Sequence, residues 1–406
     1  MIIPRGIIYH SFLDDLLNLL KSIFGKLDNK RAILKFENKF KSFNQSKYCL
    51  MYPFARSAFW SILKSCSLKE GDEIILPPIQ IKSMIEICKI LKLKPIIVDI
   101  DQHNLSFNLK DLKKKITKKT KVILLTYLYG IVPNLSDFNG VISKTKIIVI
   151  EDFSQCLFGK FKNKFVGNFG DYGIYSLSAT KTLDTYGGGV LVTNKKKNFL
   201  KNYNIRKSYF TKITRLFLFK KIFVSAVRNF FLFKINFFFI INFFKILNFF
   251  GIYGYQKFLG SRNKILLKKI PSIWFQSYTS LQAVHGIKFI DRVKKTNKIR
   301  RNNVYKIQQN IGQEFFCTTT KYSQNVYWQC AFFSNNWKKI QNKSLHSNID
   351  IAQPSIMLLT SIFNLKNFKA NKIYEKMLLL PCYHTLKKSD LKRIILTIKK
   401  ICQKYL

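Results

Sequence analysis

The chain has 406 residues, 47% of them hydrophobic, which suffices to bury a core in two domains, and it carries a formal net charge of +49. Lysine is spread along nearly the whole sequence among abundant Asn, Ile and Phe, with no recognition motif, so a specific nucleic-acid partner is not expected. An anionic substrate or an anionic membrane surface accounts for the charge more economically. The eight cysteines form no CxxC pair and the five histidines are scattered, so no metal site is expected and the thiols read as free in a reducing cytoplasm.

In chain order, Met1-Ile2-Ile3-Pro4-Arg5 does not open a signal peptide, since Asp14 and Asp15 interrupt any early apolar run. Residues 11–26 predict an amphipathic helix, with Phe12, Leu16, Leu17, Leu19, Leu20 and Phe24 at helical spacing and Gly25 ending the run. Four short β-branched runs follow, at 74–76, 95–98, 122–125 and 147–150, separated by helix-length segments rich in Lys and Leu. Buried parallel strands with crossover helices give this alternation. Residues 215–250 break it with a Phe-dominated stretch carrying scattered Lys and Asn. A globular pattern resumes near residue 271 and ends in a helix predicted over 388–404.

The densest chemical signal lies between residues 150 and 190. Glu151-Asp152 follows directly on an apolar strand, so Asp152 stands at a strand's carboxyl end, where open α/β sheets place their ligands. Gln155 comes next, then Gly167, Gly170 and Gly173, Ser176, Lys181 and a run of glycine at 187–189. Pyridoxal phosphate needs a lysine for its aldehyde and a carboxylate to keep its pyridine nitrogen protonated. It also needs hydroxyl and N–H groups for its phosphate, best supplied at a helix N-terminus, and small residues where the backbone passes close.

This region resembles the DegT/StrS family of sugar aminotransferases. The family's ED-x-x-Q element appears as Glu151-Asp152-Phe153-Ser154-Gln155, and its G-x-x-G-D-x-G-x-x-S element as 167–176, with Lys181 five residues after the serine. Further likenesses are Gly71-Asp72-Glu73 leading into Pro77, the P-x-x-x-D-x-D element at 95–101, and Leu380-Pro381-Cys382-Tyr383. The resemblance implies a three-layer αβα fold of the pyridoxal-phosphate-dependent type I (aspartate-aminotransferase-like) class, with a smaller C-terminal α+β domain. It divides the chain into a helical arm (1–30), a large cofactor-binding domain (31–214), a Phe/Lys-rich insertion (215–262) and a small domain (263–406).

It further implies that Lys181 is the Schiff-base lysine and proton shuttle, and that Asp152 pairs with the pyridinium. Gln155 then lies near the ring hydroxyl, while Ser176 and the backbone of Arg56 and Ser57 take the phosphate. Three positions depart from the family pattern. Ala55-Arg56 replaces Ser-Gly in the phosphate loop, Gln80 (or a neighbouring Ile) must cover the ring where an aromatic is common, and Phe275-Gln276-Ser277 replaces Asn-x-Arg. The implied activity is transfer of an amino group from an amino acid, with glutamate expected, to an anionic keto-sugar, nucleotide-linked, for cell-surface polysaccharide synthesis. The expected setting is a cytoplasmic homodimer that uses the apolar face of helix 11–26 and touches the membrane peripherally through 215–250. The competing readings are a non-catalytic relative kept for binding or regulation, and a membrane-associated enzyme acting on a lipid-linked sugar. Lys181 stands against the family's dehydrating branch, which has histidine there.

Overall fold

The computed structural model describes residues 2–249 and 264–403. Ser11 caps α1 (Phe12–Phe24) through a reciprocal capping box with Asp14, and Gly25 ends the helix. After α2 (Lys30–Asn44) and β1 (Tyr48–Tyr52), the chain alternates: α3 (Ala55–Ser65), β2 (Glu73–Leu76), α4 (Lys82–Ile90), β3 (Lys94–Ile97), α5 (Leu109–Lys115), β4 (Thr120–Thr126), α6 (Leu135–Ile142) and β5 (Ile148–Asp152). A two-residue pair, β6 (Lys160–Phe161) and β7 (Lys164–Phe165), precedes β8 (Tyr172–Ser176) and β9 (Gly189–Thr193).

These make a seven-stranded sheet of order β1-β9-β8-β5-β4-β2-β3. Neighbours pair in parallel except that β9 runs against both β1 and β8. Along each strand the side chains alternate between two cores. Met51, Ile75, Ile123, Leu125 and Val149 pack to one side with α2. Leu50, Ile74, Leu76, Leu124 and Ile150 pack to the other with α3 and α4. That period of two, buried on both faces, is the three-layer architecture the sequence pattern predicts.

Three helices follow the sheet: α7 (Lys196–Tyr209), α8 (Arg215–Phe231) and α9 (Lys234–Phe249), the last two within the Phe-rich segment. The rest of that segment, from residue 250 to 262, lies outside the described residues, as does residue 404 of the predicted last helix. The long α10 (Ser280–Ile311) serves two cores. Its Ala283, Phe289 and Ile290 join the large one, and its Val304 and Ile307 join a C-terminal one. β10 (Ser323–Gln324) pairs with β6. β11 (Cys330–Phe333) and α11 (Trp337–His346) enter that second core, α12 (Lys369–Lys376) packs Ala370, Ile373 and Tyr374 into a separate cluster, and β12 (Met377–Leu380) and α13 (Lys388–Gln403) return to the second core. There β11 and β12 pair antiparallel, and Ile3 bridges to Ile349, so the first residues of the chain belong to the C-terminal core.

One carboxylate holds the Gly-rich turn in place. Glu151 is fully buried and accepts hydrogen bonds from the N–H groups of Gly167 (2.7 Å), Phe169 and Gly170 (2.6 Å each) and from the Tyr127 hydroxyl (2.5 Å). Burial raises its pKa, and the four donors pull the other way. Glu151→Gln turns an NH2 group toward donors, so we expect a loss of about 2–4 kcal/mol in stability. Urea unfolding of the two proteins measures it, and an unchanged midpoint would contradict this account of the turn.

Candidate functional site

Three parallel strands end side by side, and their carboxyl ends supply the site. Asp152 closes β5, Thr126 closes β4 opposite it, and Gln80 lies just beyond β2. The buried Gln80 amide donates to Thr126 Oγ1 (2.8 Å) and Asp152 Oδ2 (3.2 Å), while Asp152 Oδ1 accepts from the Ser154 N–H (3.1 Å). Gln80, the residue at the position where an aromatic is common, is therefore bonded to the carboxylate beside it.

Lys181 comes from the loop after β8, and its backbone is aimed by an uncommon conformation. Thr180, a β-branched residue, sits at φ 73°, in the left-handed region, and the Trp328 indole N–H donates to its carbonyl (2.8 Å). The Lys181 ammonium lies 4.1 Å from the centre of the Trp328 ring. Burial brings its pKa down to about 8, with the Asp152 carboxylate acting in the opposite direction. A lysine poised there is partly neutral near physiological pH, so it can act as a nucleophile and can take up or release a proton.

The Gly run and the start of α3 form a second part of the site. Ser176 pairs with Gly189 across β8 and β9, and Ser176 Oγ is 2.9 Å from Ser178 Oγ. A Cβ at Gly189 would collide with the Phe54 carbonyl and the Ala55 nitrogen, so only glycine lets these two segments meet. The turn that opens α3 thus lies against Ser176, with N–H groups that the helix itself cannot satisfy.

Two cations stand at this end. The Arg56 guanidinium lies 4.0 Å from the Phe54 ring centre and 4.4 Å from that of Trp274, and its buried Nε has no hydrogen-bond partner. The Lys221 ammonium, from α8, lies 4.8 Å from the same Phe54 ring centre and close to Gly187. Burial lowers Arg56 to about 10. Burial, then the Arg56 charge, lowers Lys221 to about 8. Among the described residues no carboxylate is bonded to either, and two cations kept close in this way suit an anion.

The remaining sequence-predicted residues are engaged elsewhere. Gln155 Oε1 accepts from the Tyr129 N–H (2.5 Å). Ser57 donates its hydroxyl to the Trp274 carbonyl (2.6 Å) and its N–H to the Phe54 carbonyl (3.1 Å). Sequence reasoning did not single out Trp328, Thr126 or Lys221. The first two lie far along the chain from their partners, and Lys221 lies in the 215–250 segment, which was expected to contact the membrane.

The sheet with one antiparallel member, an Asp at the end of a central strand and a lysine after the next define a fold type I pyridoxal-phosphate transferase. The residues fit that cofactor, since the Gly189 cradle and the unpartnered Arg56 Nε meet at a helix start suited to a phosphate. The chain belongs to the DegT/DnrJ/EryC1/StrS aminotransferase family, which matches residues 9–212, half of its length.

It is 34% identical over 164 residues to a GDP-perosamine synthase of Escherichia coli O157:H7, covering 40% of this chain and 45% of that protein. It is 30% identical over 185 residues to a GDP-4-keto-6-deoxy-D-mannose 3-dehydratase of Escherichia coli O55:H7, covering 43% and 48%. These alignments span about half the length of the curated relatives. The crystal structure of AtS13 from Actinomadura melliaura shares the fold over 98% of both chains, with a TM-score of 0.75 and 16% identity.

Proposed function

We propose that this protein is a pyridoxal-phosphate-dependent aminotransferase that moves an amino group from an amino acid, glutamate being the expected donor, to an anionic keto-sugar carried on a nucleotide. The observation that carries the reading is the Lys181 amine, held against Trp328 with a pKa of about 8, beside the Asp152 carboxylate. The bound cofactor supplies an electron sink for chemistry at the amino-bearing carbon. Asp152 holds the proton on the cofactor's pyridine nitrogen, and Gln80, through its bond to Oδ2, orients that carboxylate. Lys181 Nζ carries the proton to and from the reacting carbon, which a histidine, as in the dehydrating branch, does not do in the same covalent role. Ser176 and the start of α3 hold the phosphate, and Arg56 and Lys221 balance its charge.

The protein works in the cytoplasm as a homodimer and contacts the membrane through residues 215–250. The membrane contact rests on a segment with six Lys and Arg, no Asp or Glu, and many exposed Phe. The test of activity is incubation of the purified protein with cofactor, glutamate and nucleotide-linked keto-sugars, followed by detection of the amino-sugar product. Formation of 2-oxoglutarate in step with an amino-sugar supports the reading. A protein that holds the cofactor but transfers nothing from any amino donor would point to a binding role.

Lys221→Met keeps the side chain's length and removes its charge. We expect cofactor affinity to fall on the order of tenfold, the loss of one charge-assisted contact to a phosphate. Equilibrium dialysis measures it, and an unaltered dissociation constant would remove Lys221 from the phosphate end.

A further inference from the structure

An ordinary surface helix turns its apolar stripe to the core and its polar side to water. In α1 the order is reversed. Its buried residues are Asp15, Asn18 and Ser22, while Leu13, Leu20 and Phe24 are 63%, 58% and 82% exposed.

The polar side is bonded to α8, which runs antiparallel to it. His10 Nε2 lies 2.8 Å from Asp15 Oδ1 and 3.2 Å from Ser225 Oγ. The Asn229 amide donates to Asp15 Oδ2 (2.8 Å) and to the His10 carbonyl (3.1 Å). At the other end Arg215 donates to the carbonyls of Ser22 and Ile23 (2.7 Å each) and Gly25 (3.1 Å), closing the C-terminus of α1. With its polar groups satisfied inward, α8 also shows apolar side chains outward, among them Leu216, Phe223 and Phe231, and α9 continues the face with Ile235 and Phe239. Because α8 itself buries Leu218, Ile222 and Ala226, it is α1 that is built inside out, and the outward apolar side chains of the two helices call for a cover.

Charge decides which cover. Neither acid of α1 faces outward as a free carboxylate, because Asp15 is buried and Asp14 is capped by Ser11 and paired with Lys288 at 2.5 Å. Residues 215–249 hold no acid, and although Arg215, Lys221 and Lys245 are engaged within the fold, Lys220 and Arg228 are exposed on α8. A second copy would bring the same basic surface to an isologous contact through this face, which moves the subunit contact expected on helix 11–26 to another face of the homodimer. An anionic bilayer accepts both the apolar side chains and the basic rim. The shape agrees with a face lying in the interface. Among the described residues no single helix is long and apolar enough to cross a membrane, and α8 and α9 are bent by 85° to one another.

We propose that α1 and α8 together form a docking face for anionic phospholipid bilayers, with the His10–Asp15–Ser225–Asn229 seam holding α1 inside out. This deepens the membrane contact proposed for residues 215–250 by placing half of the anchor in the N-terminal helix, and it is independent of the enzyme reading. The test uses the full chain loaded with pyridoxal phosphate and two kinds of vesicle, phosphatidylglycerol mixed with phosphatidylcholine, and phosphatidylcholine alone. The parent should co-sediment with the first, less so as salt rises, and little with the second.

The triple variant Leu13→Ser, Leu20→Ser, Phe24→Ser alters only exposed positions, and its binding to the anionic vesicles should fall on the order of tenfold or more. Its bound cofactor and its oligomeric state should stay unchanged. The pair Phe223→Ser, Phe231→Ser should act alike from the α8 side, and serves if the triple variant does not fold. A parent that ignores anionic vesicles, or variants that bind them as the parent does, would overturn the proposal. So would variants that lose only self-association, which would make the face a contact between copies. Cofactor retention in the same samples reports separately on the enzyme reading.

Discussion

Lys181→Ala is expected to lower transamination on the order of a thousandfold or more, because it removes both the covalent hold on the cofactor and the proton carrier. The fold should survive, since the ammonium makes a ring contact to Trp328 and, among the described residues, no hydrogen bond. Single-turnover rates of amino transfer measure the effect, and near-parent turnover would remove Lys181 from the chemistry.

The wild-type amine should also show its environment in pH dependence. Burial lowers its pKa to about 8, so the reactive neutral form grows as pH rises through about 8 and levels off above it. An ordinary lysine would still be gaining neutral form at about pH 10. The rate at which apo-protein captures the cofactor aldehyde should follow the lower curve.

Asp152→Asn should cost on the order of a hundredfold in the same assay. Its effect on the fold should be modest. The amide keeps an oxygen for the Ser154 N–H, and although its NH2 group turns toward the Gln80 NH2, Gln80 retains its bond to Thr126 Oγ1, so a single hydrogen bond is lost. What is lost is the negative charge that keeps a proton on the pyridine nitrogen, and with it the electron sink. Normal thermal stability with weak activity supports this division. Activity close to the parent would mean that another group holds that proton.

The sheet was legible because its signals are local. Four β-branched runs between Lys/Leu-rich helices marked buried parallel strands, though not their order in the sheet, and Gly25 and the apolar spacing bounded α1 within a residue or two. Asp152 and Lys181 were legible for the same reason, since both lie in one stretch of about forty residues whose order is characteristic.

What stayed hidden depends on contacts between distant segments. Periodicity told that α1 has an apolar side, but only Asn229, Ser225 and Arg215 on α8 decide that this side faces out. Gln80 was expected over the ring face, and nothing local foretold its bond to Asp152. Ser57 was expected to offer its backbone to the phosphate, and nothing local foretold that its hydroxyl goes to the carbonyl of Trp274, more than two hundred residues on. The division of α10 between two cores likewise follows from packing, since its sequence pattern is continuous.

The most direct test of the account is to load the protein with pyridoxal phosphate, reduce it with borohydride, digest it and locate the modified lysine by mass spectrometry. The account predicts stoichiometric labelling of the peptide containing Lys181 and its disappearance when glutamate is added before reduction. Labelling spread over the many surface lysines, or concentrated on a lysine other than Lys181, would contradict it.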